Sequence, residues 1–172
     1  LHEPIFYGNE KKYLSRCIST GYVSYVGKFV NLFEKKICNF TKSKYAVALV
    51  NGTSAIHILL QYLGIEENDE VLLPSLTFVA TANAALYCGA TVDFVDIDAK
   101  TYNMSAIALE KKLVIAKKSK KLPKVVIPVH LSGQTCEMDK IHELSIKYGF
   151  KIIEDASHAI GAKYKNFNIG DC

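Results

Sequence analysis

Several things are scarce in this 172-residue chain. Its five cysteines, Cys17, Cys38, Cys88, Cys136 and Cys172, stand singly, with no CxxC pair and an odd total. That excludes the spacing of a zinc site and argues against a disulfide framework, and it fits a reducing, cytoplasmic setting. No two histidines sit at metal-ligand spacing, so no metal is expected. No apolar run reaches the roughly 18 residues of a membrane span, and the N-terminus has no basic segment followed by an apolar stretch and a cleavage site. Charge of one sign is also modest, at a net +4. Its densest part, Lys117-Lys118-Ser119-Lys120-Lys121, has no interleaved aromatics and reads as a solvated helix end, so a nucleic-acid partner is not expected. Nucleotide fingerprints are missing too. GYVSYVGKF has five residues between its glycines, a phenylalanine after the lysine and no preceding strand, which rejects a P-loop, and no G-x-G-x-x-G follows the first strand.

What is present is the composition of a globular domain, 49% hydrophobic and 22% charged. One domain is the default, with no repeat, low-complexity segment or linker in view. Two amphipathic helices are expected first, over 9–19 and 28–40, with Gly21 and Gly27 marking breaks between them. Five strands, each followed by a helix or by a site-like turn, come next. The strands span 45–50, 70–73, 91–97, 124–130 and 151–154, and the helices 54–63, 78–87, 105–117 and 139–148. Strands apolar almost throughout and alternating with helices imply a parallel sheet covered on both faces, an α/β fold of three layers. The chain begins at Leu1 and stops at Ile169-Gly170-Asp171-Cys172 without a closing helix, which reads as a piece of something longer.

Open parallel sheets collect their functional groups beyond the carboxyl ends of the strands. Asn51-Gly52-Thr53-Ser54 lies at one such end. With Thr53 or Ser54 capping the next helix, its N–H groups and hydroxyls form either an ordinary N-cap or a phosphate cradle. Phe78 follows another strand end, as a core residue of the helix it begins or as a platform for a planar ligand. Asp155 ends the strand KIIE and is followed by small residues. A carboxylate there needs a cation or donors, because an unpaired buried charge is unfavourable by several kilocalories. Its partner is a metal, a ribose hydroxyl, a basic side chain or a protonated ring nitrogen, or else it simply caps the next segment. Alternation sends Glu154 to the opposite face. His158 and His130 are each either structural or part of the site, while His57 and His142 lie within helices and read as structural.

Taken together, NGTSA (51–55), LPSLTFVATANA (73–84), VDFVDID (92–98), VIPVHLSG (126–133) and EDASHAIGA (154–162) resemble, in order and spacing, the DegT/StrS-type sugar aminotransferases. These pyridoxal-phosphate (PLP) enzymes share the aspartate aminotransferase fold. The resemblance covers the whole chain, and the opening LHEPIFYGNEKKY and TGYVSYVGKFV look most like the branch that aminates a 4-keto-6-deoxy UDP-N-acetylhexosamine toward legionaminic-acid-type sugars. It implies that Gly52, Thr53 and Ser54 hold the cofactor phosphate, Phe78 stacks on the pyridine, Asp155 binds the ring nitrogen and His158 sits near the 3-hydroxyl. It further implies glutamate as amino donor, a nucleotide sugar as acceptor and a homodimer in which GYVSYVG reaches the partner's site. Residues 1–172 would be an N-terminal arm plus an incomplete PLP-binding large domain. The family's Schiff-base lysine falls downstream of Cys172, so the chain alone is expected to be inactive. Some relatives place histidine there and act as sugar dehydratases with pyridoxamine phosphate. A non-catalytic truncated homologue is the further alternative.

Overall fold

The computed structural model describes residues 3–171, and the chain divides into two compact units between Ala48 and Leu49. No change in composition marks this boundary, and the sequence reading drew none there. The first unit carries α1 (Glu10–Thr20) and α2 (Lys28–Thr41). Helix α1 stops at Gly21, whose φ of 74° is the left-handed closure that favours glycine, with its N–H bonded to the Ile18 carbonyl. Within this unit the Tyr13 and Phe29 rings meet at 5.3 Å. Neither helix buries a residue, so their apolar stripes remain largely exposed.

The second unit runs α3 (Gly52–Tyr62), β1 (Glu70–Pro74), α4 (Val79–Leu86), β2 (Thr91–Val95), α5 (Ala106–Lys118), β3 (Val125–Val126), α6 (Met138–Tyr148) and β4 (Lys151–Ile152). A short hairpin follows, β5 (Lys163–Tyr164) with β6 (Phe167–Asn168). The sheet order is β2-β1-β3-β4, parallel throughout. Period-two alternation gives each face its own core. Val71, Leu73, Val125 and Ile127 pack with Ile56 and Leu60 of α3 and Ala84 and Ala85 of α4. Leu72 and Val126 point the other way, onto Leu109 and Leu113 of α5 and Met138, Ile141 and Leu144 of α6. The result is the expected α/β/α layering, with one strand fewer.

That strand is 45–50, which forms no ladder among the described residues. Tyr45, Val47 and Val50 are strongly exposed. An apolar β-branched run becomes a strand only where a neighbour accepts its hydrogen bonds. The expected strands 124–130 and 151–154 are also shorter. Pro128 has no N–H to give, so regular pairing breaks there and resumes as a single bridge between Val129 and Asp155. Across the break the Asp155 N–H still reaches the Pro128 carbonyl at 2.9 Å, and the His130 N–H reaches the Asp155 carbonyl at 3.0 Å. The two strand ends therefore stay tied across the break.

Candidate functional site

Segments that follow β1, β3 and β4 line a cavity of about 280 Å³ in the second unit. One wall is the start of α3. Its cap is Asn51, not Thr53 or Ser54 as the sequence suggested: the Asn51 side chain accepts from the Ser54 N–H at 2.8 Å. The helix already starts at Gly52, so Thr53 and Ser54 lie inside its first turn and the extended residue before it, Asn51, is the one placed to cap. The Ala55 N–H bonds the Asn51 carbonyl. The N–H groups of Gly52 and Thr53, which precede any intrahelical acceptor, have no partner among the described residues. The positive end of the helix therefore faces the cavity over these two residues and the Thr53 hydroxyl.

Phe78 forms the opposite lip. It is the residue before α4, in extended conformation, and its side chain is 72% exposed. That removes the reading of Phe78 as a core residue of the helix.

Asp155 lies on the floor, 8% exposed. Its Oδ2 accepts from the Thr81 hydroxyl at 2.7 Å, and its Oδ1 accepts from the Ser157 hydroxyl at 2.7 Å and the Ser157 N–H at 3.2 Å. Among the described residues no basic side chain pairs with it. A buried carboxylate is thus held by neutral donors alone, in a cavity with no lysine or arginine in its lining. His158 also lines the cavity, from the exposed turn after Asp155.

His130 contributes to the cavity lining yet is wholly buried. Its Nδ1 accepts the Cys136 N–H at 3.1 Å, which places the ring proton on Nε2, donating to Glu154 at 2.9 Å. His130 is therefore a structural histidine fastening the turn after β3. Glu154 and Asp155 have separate partners, as alternation requires. Cys136 sits behind this turn, and burial pushes its thiol up to about 12. Asn103 fastens the same turn from the other side, its Nδ2 donating to the Gln134 carbonyl and its Oδ1 accepting the Leu131 N–H.

The cavity brings together all six candidate residues except Ser54, whose N–H is spent on the cap. Sequence reasoning missed Thr81 and Asn103. Thr81 carried a weak signal, as a polar residue in the first turn of a largely apolar helix that begins after a strand end. Asn103 carried none, because its partners are 28 and 31 residues away. Among the described residues no three histidine, cysteine, aspartate or glutamate side chains cluster as metal ligands, and no helix is long and apolar enough to cross a membrane.

The fold and site define a parallel α/β layer whose polar groups converge beyond the carboxyl ends of its strands, the position such sheets reserve for ligands. The model of the DegT/DnrJ/EryC1/StrS aminotransferase family matches residues 5–172, and the chain belongs to that family. It is 42% identical over 168 residues to a GDP-perosamine synthase of Caulobacter vibrioides, covering 96% of this chain and 44% of that relative. The structure of an aminotransferase from Psychrobacter cryohalolentis superposes with a TM-score of 0.87 at 34% identity, covering 97% of this chain and 41% of that one. A Streptococcus pneumoniae protein solved in its PLP form superposes at 0.85 with 26% identity, over 97% of this chain and 45% of that one. The chain thus spans less than half the length of the relatives it matches.

Proposed function

We propose that this chain is the cofactor-holding part of a PLP-dependent aminotransferase that places an amino group on a nucleotide-linked keto sugar, with glutamate as donor. The observation that carries the reading is Asp155. Among the described residues it is a buried carboxylate with three neutral donors and no cation, facing a cavity lined by a helix N-terminus and an exposed aromatic. Such a carboxylate is suited to a protonated ring nitrogen, Phe78 to the face of a planar ring, and Gly52 and Thr53 to a phosphate. The fit is supported by Gly52 itself: a Cβ there would stand 3.2 Å from the Ser157 hydroxyl, so glycine leaves the wall open where a phosphate would lie. His158, which also lines the cavity, is the residue this reading assigns to the ring's 3-oxygen. Size agrees, since about 280 Å³ is near the lower edge of the ~300–1,000 Å³ of small-ligand sites and suits a cofactor without a nucleotide sugar.

When bound, PLP supplies an electron sink for proton removal next to nitrogen. The chain's own part is to hold the ring nitrogen protonated through Asp155, keep the ring flat against Phe78 and anchor the phosphate. Among the described residues no lysine lines the cavity. On this reading the anchoring lysine and the sugar pocket belong to the remainder of a longer polypeptide working as a homodimer, and residues 1–172 alone bind PLP weakly and do not turn over.

The full-length protein, incubated with glutamate and with GDP- and UDP-linked 4-keto-6-deoxy sugars in turn, is expected to release 2-oxoglutarate and form the amino sugar with one of them. The relatives named GDP-perosamine synthase favour the GDP-linked sugar, and the opening residues favour the UDP-linked one. Release of water from the sugar without amination would replace this reading with the dehydratase one, and a histidine at the position of the anchoring lysine would accompany that result. Turnover by residues 1–172 alone would refute the division of labour.

A further inference from the structure

The carboxylate of Asp155 can be read atom by atom. Each carboxylate oxygen accepts about two hydrogen bonds. Oδ1 already accepts two, from the hydroxyl and the N–H of Ser157, both supplied by the turn that Asp155 itself begins. Oδ2 accepts one, from Thr81, which lies 74 residues away in sequence. One acceptor position on Oδ2 has no donor among the described residues. Thr81 is wholly buried, and its hydroxyl has one proton. That proton goes to Oδ2, so the Thr77 hydroxyl, 3.3 Å from Thr81 Oγ1, must be the donor in the second contact. A directed chain runs from the cavity wall at Thr77 through Thr81 to Asp155.

Thr81 also stands on α4, the helix that Phe78 precedes. The Thr81 bond therefore joins the element carrying the aromatic to the strand end carrying the carboxylate. Resting on the reading of Asp155 given above, we propose that Thr81 is a positioning residue. It fixes the carboxylate so that Oδ2 is the oxygen offered to the cofactor's ring N–H, and it sets the separation between that oxygen and the Phe78 ring. Without the hydroxyl, the carboxylate is held at Oδ1 alone, by its own turn, and Oδ2 loses the one bond that ties it to α4, so the ring nitrogen loses part of a preorganised partner.

The test compares binding of two probes to the full-length protein by equilibrium titration: pyridoxamine 5′-phosphate, and the analogue with carbon in place of the ring nitrogen. Thr81→Val keeps the shape and removes the hydroxyl, while Thr81→Ser keeps the hydroxyl. The wild type is expected to prefer the pyridine probe. Thr81→Val should weaken that probe roughly tenfold while moving the carbon analogue less than about twofold, and Thr81→Ser should restore the preference. If the wild type prefers the pyridine and Thr81→Val retains the full preference, the role assigned to Thr81 is wrong and the reading of Asp155 stands. If the wild type shows no preference, the reading of Asp155 itself falls, and this inference with it. Equal weakening of both probes marks a merely structural role and overturns the proposal. Should the valine variant not fold, Thr81→Ala, which removes atoms without adding any, is read in the same way.

Discussion

Gly52→Ala tests the site at its tightest point. The backbone at residue 52 is the first turn of α3, so alanine is conformationally acceptable there. Intrinsic helix preference alone would favour it by at most about 1 kcal/mol. The added Cβ, however, would lie 3.2 Å from Ser157 Oγ, so that hydroxyl must move by a few tenths of an ångström. It is not free to do so, because it is bonded at 2.7 Å to Asp155 Oδ1. A hydrogen bond to a charged group contributes about 1.5–3 kcal/mol, and the partial exposure of Ser157 places this one at the lower end. The net expectation is a destabilisation of about 1 kcal/mol, measured by denaturant unfolding of the full-length protein, together with weaker cofactor binding. In a Ser157→Ala background the obstruction is absent. There the same substitution should become neutral or stabilising by up to about 1 kcal/mol, giving a coupling of about 1–2 kcal/mol between the two positions. Equal destabilisation in both backgrounds would refute the account, since the obstruction would then lie elsewhere.

Phe78→Ala should change stability by less than about 1 kcal/mol, because the side chain is mostly exposed, yet weaken pyridoxamine-phosphate binding roughly tenfold in a titration; unchanged affinity would remove Phe78 from the site. Cys136, whose thiol burial holds at about 12, should resist iodoacetamide at pH 8 while Cys17 and Cys38 react, as followed by peptide mass spectrometry. Asp69 is held below its ordinary 3.8 chiefly by the Lys124 ammonium at 2.6 Å, with the Glu66 N–H helping and burial opposing. A depressed carboxyl stabilises the fold above its unfolded pKa, and that contribution is lost as pH falls through the lower folded value. The stability gap between wild type and Asp69→Asn should therefore be present at pH 7, stay below about 1 kcal/mol because Lys124 is half exposed, and close in acid. A gap that persisted in acid would remove the ion pair as its cause.

Much of this protein is legible in local pattern. Apolar runs at period two and 3.6 locate β1, β2 and the helices α3 to α6 to within a residue or two, since burial of one face depends only on spacing along the chain. The run at 45–50 misleads because a strand is a property of two segments, and its propensity says nothing about a partner. Pro128 is visible in sequence, but its consequence is not: only the neighbouring strand shows that pairing breaks there and re-forms at Val129 and Asp155.

The site divides in the same way. Asp155 stands out in the sequence as a strand-end carboxylate needing a partner, and the motif series NGTSA to EDASHAIGA places the chain in its family. What holds Asp155 is decided in three dimensions. The order β2-β1-β3-β4 sets the ends of β1 and β4 on either side of β3, so Thr81 and Asp155, 74 residues apart, come within 2.7 Å. Local sequence fixes which residues can be strand ends and caps, because those choices are made by neighbours a few bonds away. Which ends meet is fixed by strand order, and that follows from burying both faces of the sheet at once, a condition that no short stretch of the chain contains.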